Sequence, residues 1–185
     1  MIRTGLGLKA KAKRVFLALT PAPLAAMLWH AVRRGAPRTE LPTAQDHETI
    51  AVQPGARLED YWSDVPGVGW GPSASLYVRD EEVLRLDCFG NGRGHMHLNP
   101  VQHELFEGAP ARLWFPDLPI PDQIARGAFE LSRNADAACR SNLLRRVRRF
   151  ALDQAALDRA ADAMARRMTA LYAKWGDDPK AEGRL

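Results

Sequence analysis

The chain changes its hydrophobic period once, and that change limits the fold more than any other feature. In the stretch from Ser75 to Asn99, apolar residues alternate with polar ones, the period of a half-buried strand. From Leu157 to Trp175 they recur at spacings of four, three, four, three and four, the period of a helix. A strand region followed by a helical region predicts an α+β domain, with an antiparallel sheet of about four to five strands preceding C-terminal helices. The boundaries follow from prolines and polar runs. Residues 1–35 form a basic, apolar helical arm and 36–47 a linker. Residues 48–176 form the domain, β-rich over 48–116 and helical over 121–176. Residues 177–185 read as a disordered tail.

Within the β-rich part, Thr49–Gln53, Ser75–Arg79, Val83–Phe89, His95–Asn99 and Arg112–Phe115 are the expected strands. Residues 61–74 (YWSDVPGVGWGPSA) are expected as a loop rich in glycine and aromatic side chains, with Tyr61, Trp62 and Trp70 as anchors. Pro121 and Asp122 start a helix that runs to near Cys139, and Ser141 caps the next. Gly176 stops the last one. The heptad-like seam Leu157, Ala161, Met164, Met168, Leu171, Trp175 suits a helix packed on its own sheet. It also offers a homo-oligomer contact through residues 157–175.

Composition removes several classes. With 46% hydrophobic residues among 185, the chain is too apolar to be disordered, and two cysteines are too few for a disulfide scaffold. No GxSxG, phosphate-loop, CxxC or HExxH pattern is present, and Gly67–Gly71 (GVGWG) lacks the strand and helix that a phosphate loop needs. Charge is segregated. Residues 1–40 hold eight bases and the single acid Glu40, a net charge of +7, while the rest of the chain sums to −3.

A body of that charge does not suit nucleic acid, although Arg145, Arg148 and Arg149 share the solvent side of an expected helix and make a phosphate-contacting ridge conceivable. The arm suits an anionic membrane surface or a protein partner. Its apolar run Val15–Val32 also resembles a signal peptide, a transit peptide or a short span, but Pro21 and Pro23 interrupt it. The bland alternative is two short helices, with Thr20 as a cap, Pro21 in the first turn and Gly35 as the stop. The expected location is cytoplasmic and peripheral to the membrane.

One polar constellation stands out. In VLRLDCF (Val83–Phe89), Arg85 and Asp87 share a strand face; in HMHLN (His95–Asn99), His95, His97 and Asn99 do. Pairing apolar with apolar requires even residue sums across the hairpin. Sums of 184 oppose Asp87 to His97 and Arg85 to Asn99. Asn91-Gly92, a favoured two-residue turn, asks instead for odd sums of 183. Burial of four apolar side chains outweighs the turn, with Gly90 and Gly94 available to absorb the mismatch. The resulting face carries Arg85, Asp87, His95, His97 and Asn99, and Tyr77 from the neighbouring strand. These are ligand-binding candidates. Two histidines at i, i+2 with Asp87, or with His103 from the next loop, also suit a divalent metal such as zinc or iron. Without a metal, an Asp87–His97 pair suits acid–base chemistry, and a polar network satisfied within the sheet is the structural alternative.

The motif DCFG (Asp87–Gly90) followed by GHMHLN (Gly94–Asn99) resembles a small bacterial family of uncharacterised domains over residues 61–115. The resemblance implies a compact hairpin domain with polar histidines and brings no activity or cofactor. The sequence as a whole reads as a small binding or interaction protein. A metal-binding protein or hydrolase-like enzyme using the Asp/His cluster is the alternative.

Overall fold

In the computed structural model the described residues are 15–35, 45–65, 68–102 and 111–176. The expected tail, most of the linker and the metal candidate His103 lie outside them. The chain divides into two units, Met1–Arg38 and Thr39–Leu185.

In the first unit a helical turn at 15–19 precedes helix α1 (Ala22–Gly35). Thr20 does not cap it. The Pro21 carbonyl accepts from the amides of Leu24 and Ala25, both at 2.9 Å, so Pro21 is itself the cap residue and the helix starts one residue later than expected. Gly35 ends it. Among the described residues no helix is long and apolar enough to cross a membrane.

The second unit is an α+β domain. Its six strands are β1 (Gln45–Gln53), β2 (Ala56–Val65), β3 (Gly69–Val78), β4 (Glu81–Asp87), β5 (His95–Leu98) and β6 (Leu113–Trp114). They lie in sequence order, each antiparallel to the next. Two expectations need correction. The residues read as a loop, 61–74, are largely the facing ends of β2 and β3. Alternation is missing there because both faces are buried: Tyr61 and Trp62, like Ser73 and Ala74, are nearly inaccessible. Gly71 is a strand residue without a side chain because a Cβ there would sit 2.2 Å from the Cys88 carbonyl oxygen.

The second correction concerns the linker, whose last residues belong to β1. A bulge turns Asp46 towards the far end of the last helix, where its carboxylate accepts from Lys174 Nζ at 2.7 Å and Trp175 Nε1 at 2.8 Å.

Helices α2 (Ile120–Ser141) and α4 (Gln154–Trp175) pack together and cover one side of the sheet, α2 over β3 and β4 and α4 over β1 to β3. Asp153 caps α4 by accepting from the Ala156 amide at 2.8 Å. The seam Leu157, Ala161, Met164, Met168 and Leu171 is buried in this layer, while Trp175 is half-buried at its end. Ser141 closes α2 and does not cap another helix. Asn142 is extended there: its Nδ2 donates to Asn99 Oδ1 and its Oδ1 accepts from Leu144 N. Between α2 and α4 the chain forms only the four-residue turn α3 (Arg145–Arg148).

The two faces of the sheet differ in chemistry. Leu58, Leu76, Leu84 and Leu86 are fully buried on the helix side. A side chain at Gly127 of α2 would meet Leu86 and Cys88 there. The other face carries Glu59, Tyr61, Ser73, Ser75, Asp87, His95 and His97, polar side chains that are nonetheless buried.

Candidate metal centre

The hairpin β4–β5 builds the centre. It pairs Leu84 with Leu98, Arg85 with His97, Leu86 with Met96 and Asp87 with His95. This register is two residues from the expected one. A shift of two preserves every face, so the apolar side chains still meet and Arg85, Asp87, His95 and His97 still emerge together. The turn also forms. Asn91 and Gly92 both have positive φ, 47° and 70°, and the Arg93 amide donates to Gly90 O at 2.8 Å. Residues 88–94 leave the ladder between turn and strands, which lets both local preferences hold.

That detour is clamped from α2. Gln123 is fully buried. Its Oε1 accepts from the Gly90 amide at 2.9 Å, and its Nε2 donates to the carbonyls of Asp117 (2.8 Å) and Leu118 (3.2 Å). Gly94 leaves it room, since a Cβ there would lie 2.3 Å from the Gln123 side chain.

At the centre sits Asp87, 6% exposed. Its Oδ1 accepts from Ser73 Oγ at 2.8 Å. Its Oδ2 faces Arg85 Nε at 3.3 Å, His97 Nε2 at 3.3 Å and His95 Nε2 at 3.4 Å. Burial alone would raise the Asp87 pKa, but His97, Arg85 and His95 outweigh it and hold the carboxyl at about 2, ionised. Burial likewise opposes the Arg85 charge, and Asp87 and Glu82 overcome it, keeping the guanidinium above its usual value. For His95, burial wins over the pull of Asp87 and favours the neutral ring.

The second nitrogen of each histidine fixes its tautomer. His95 Nδ1 lies 2.7 Å from Arg93 O, and His97 Nδ1 lies 2.8 Å from Ala111 O. A carbonyl only accepts, so each Nδ1 carries the hydrogen and donates it. In the neutral ring each Nε2 then presents a lone pair. The three ligand atoms, one Asp87 carboxylate oxygen and the two Nε2 nitrogens, converge within 4.8 Å of one another. The His95 ring is boxed by Phe89 (centroids 5.8 Å), His97 (4.8 Å) and Trp114 (5.0 Å).

Other candidates fall elsewhere. Tyr77 shares the polar face but lies at its far end, beneath the Arg57 guanidinium at 4.5 Å and beyond the Asp/His group. Asn99 does not join the face. Its positive φ of 48° turns it out of the strand to the opposite side, where Nδ2 donates to Ala138 O at 2.9 Å and Ser141 Oγ at 3.0 Å. Arg145, Arg148 and Arg149 are exposed, but on a single turn, and Arg148 Nη1 donates to the Asn142 carbonyl at 2.9 Å. Cys88 and Cys139 are buried thiols whose pKa burial pushes up, to about 11 for Cys139.

Sequence reasoning missed Ser73, Gln123 and Trp114. It also missed the buried relay in which Tyr61 OH meets Ser75 Oγ at 3.3 Å and Ser75 donates to Glu82 Oε1 at 2.7 Å. Ser73 and Ser75 alternate as strand residues do, but they sit in and beside a stretch read as loop. No protein-family model, curated protein or solved structure matches the chain.

Proposed function

We propose that the domain binds a divalent transition-metal ion, zinc or iron(II), through Asp87, His95 and His97. The observation that carries this is the convergence of three potential ligand atoms: two Nε2 nitrogens, with both Nδ1 hydrogens committed to carbonyls, beside one buried carboxylate oxygen. Arg85 balances the carboxylate charge, but without a further cation the two Nε2 atoms either turn lone pairs on that oxygen or a buried ring takes up a second proton. The separations of 3.3 and 3.4 Å are long for charge-assisted hydrogen bonds, typically about 2.7–2.9 Å. These two separations match the roughly 3.3–3.4 Å between ligand atoms held about 2.0–2.1 Å from a tetrahedral ion, while the set as a whole spans up to 4.8 Å, so the two rings would draw together on binding. Carbonyl partners on Nδ1 and a hydroxyl on the carboxylate's second oxygen are the outer contacts that orient metal ligands. Three protein ligands leave a position open for water or a substrate, the arrangement of catalytic centres, where bound water is acidified to a pKa of about 7.

The test is metal titration of the chelator-stripped full chain with zinc and with iron(II), read by calorimetry and elemental analysis. One ion per chain is expected. His97→Ala should weaken binding by at least about a hundredfold, and Ser73→Ala, which frees Oδ1 but removes no ligand, by about 10–100-fold. A chain that takes up neither ion, or a His97→Ala variant that binds as tightly as the parent, overturns the proposal.

A further inference from the structure

We infer that the N-terminal arm is a docking element for an anionic phospholipid surface, independently of what the Asp/His centre binds. Two observations combine. Helix α1 leaves Leu24 46%, Met27 59% and Leu28 45% exposed, at the i, i+3, i+4 spacing that puts them on one helical face. On the turn before it Val15 and Leu19 are 58% and 80% exposed. An apolar stripe of this kind enters the boundary between headgroups and acyl chains. The second observation is charge. The first 39 residues contain eight lysines and arginines and no acid. Each such base held near an anionic leaflet strengthens attachment by about fivefold.

Charge also selects among occupants of the apolar face. A second copy of the arm would bring +7 against +7, so self-association is opposed where an anionic surface is attracted. Nucleic acid would use the bases but has no use for the exposed leucines. Spanning is not required, because the stripe and the bases suit a helix lying in the interface.

The test is co-sedimentation of the full chain with vesicles of phosphatidylglycerol mixed into phosphatidylcholine, against vesicles of phosphatidylcholine alone. Sedimentation with the mixed vesicles at low salt, falling at least about tenfold at high salt, is expected. Leu24→Asp with Leu28→Asp should remove it. Because that pair can also unfold the helix, Lys9→Gln with Lys11→Gln and Lys13→Gln serves as the second variant. It leaves α1 untouched and should weaken binding by about a hundredfold, three charges at about fivefold each. Three outcomes overturn the inference: no sedimentation with the mixed vesicles; equal sedimentation with both kinds; or a solution dimer that Leu24→Asp with Leu28→Asp converts to monomer without any vesicle binding.

Discussion

Asp60 is a carboxylate on the apolar side of the sheet. It shares that face of β2 with Leu58 and Trp62, is fully buried, and neither side-chain oxygen has a hydrogen-bond partner among the described residues. Burial raises its pKa from 3.8 to about 6, against the pull of Arg167 and with the help of Glu48. The folded chain therefore holds this proton more tightly than the unfolded one. The associated stability is complete below the unfolded pKa and is lost as pH climbs through about 6. Asp60→Asn cannot titrate. Urea denaturation across this range should show the parent losing up to about 3 kcal/mol relative to the variant between pH 4 and pH 7, and a flat difference below it. A difference independent of pH would show that Asp60 does not titrate there. At this scale the sequence placed Arg85, Asp87, His95 and His97 on one face because strand alternation is a strict rule. It could not place Asn99, because a single positive φ reverses a side chain without any composition signal. Asp60 escaped notice because it lies just before the stretch read as loop.

The β4–β5 hairpin shows how an element satisfies two incompatible local preferences. Its apolar residues require an even register and its Asn-Gly turn an odd one, and seven residues outside the ladder separate them. Parity was readable from the sequence; the exact register was not, since a slip of two costs no face. The device that holds the detour, Gln123 against Gly94, was invisible because it joins residues 29 positions apart. Gly94→Ala should displace Gln123 and leave the Gly90 amide and two carbonyls unpaired, costing about 1–3 kcal/mol by denaturation. Gln123→Ala alone should cost a similar amount. The double variant should cost clearly less than the two together, because removing Gln123 empties the space the new methyl enters. Full additivity would show that the two do not share a site. Strands β2 and β3 were misread for a different reason. A strand buried on both faces has no alternation to display, and glycine and proline are poor strand formers in isolation.

Across the whole domain, the helix layer and the polar face are separated by the thickness of one sheet. The change from strand to helix period made this α+β division legible, while β2 and the length of β1 were not. Met164 lies at the middle of α4, the helix that packs on β1 to β3, and is fully buried. Met164→Ala should destabilise the fold by about 2–5 kcal/mol. Metal affinity at the Asp/His centre should stay unchanged, because α4 touches the opposite face; denaturation paired with metal titration reads both. Affinity falling in step with stability would show the two layers to be coupled. The packing of α4 on β1, β2 and β3 has one more consequence. Those three strands leave the ribosome about 75 to 100 residues before the helix that covers them. During synthesis their leucine-bearing side faces water with its cover still unmade, so a nascent chain stalled before Gln154 is a natural client for chaperones that hold greasy β-ribbons apart.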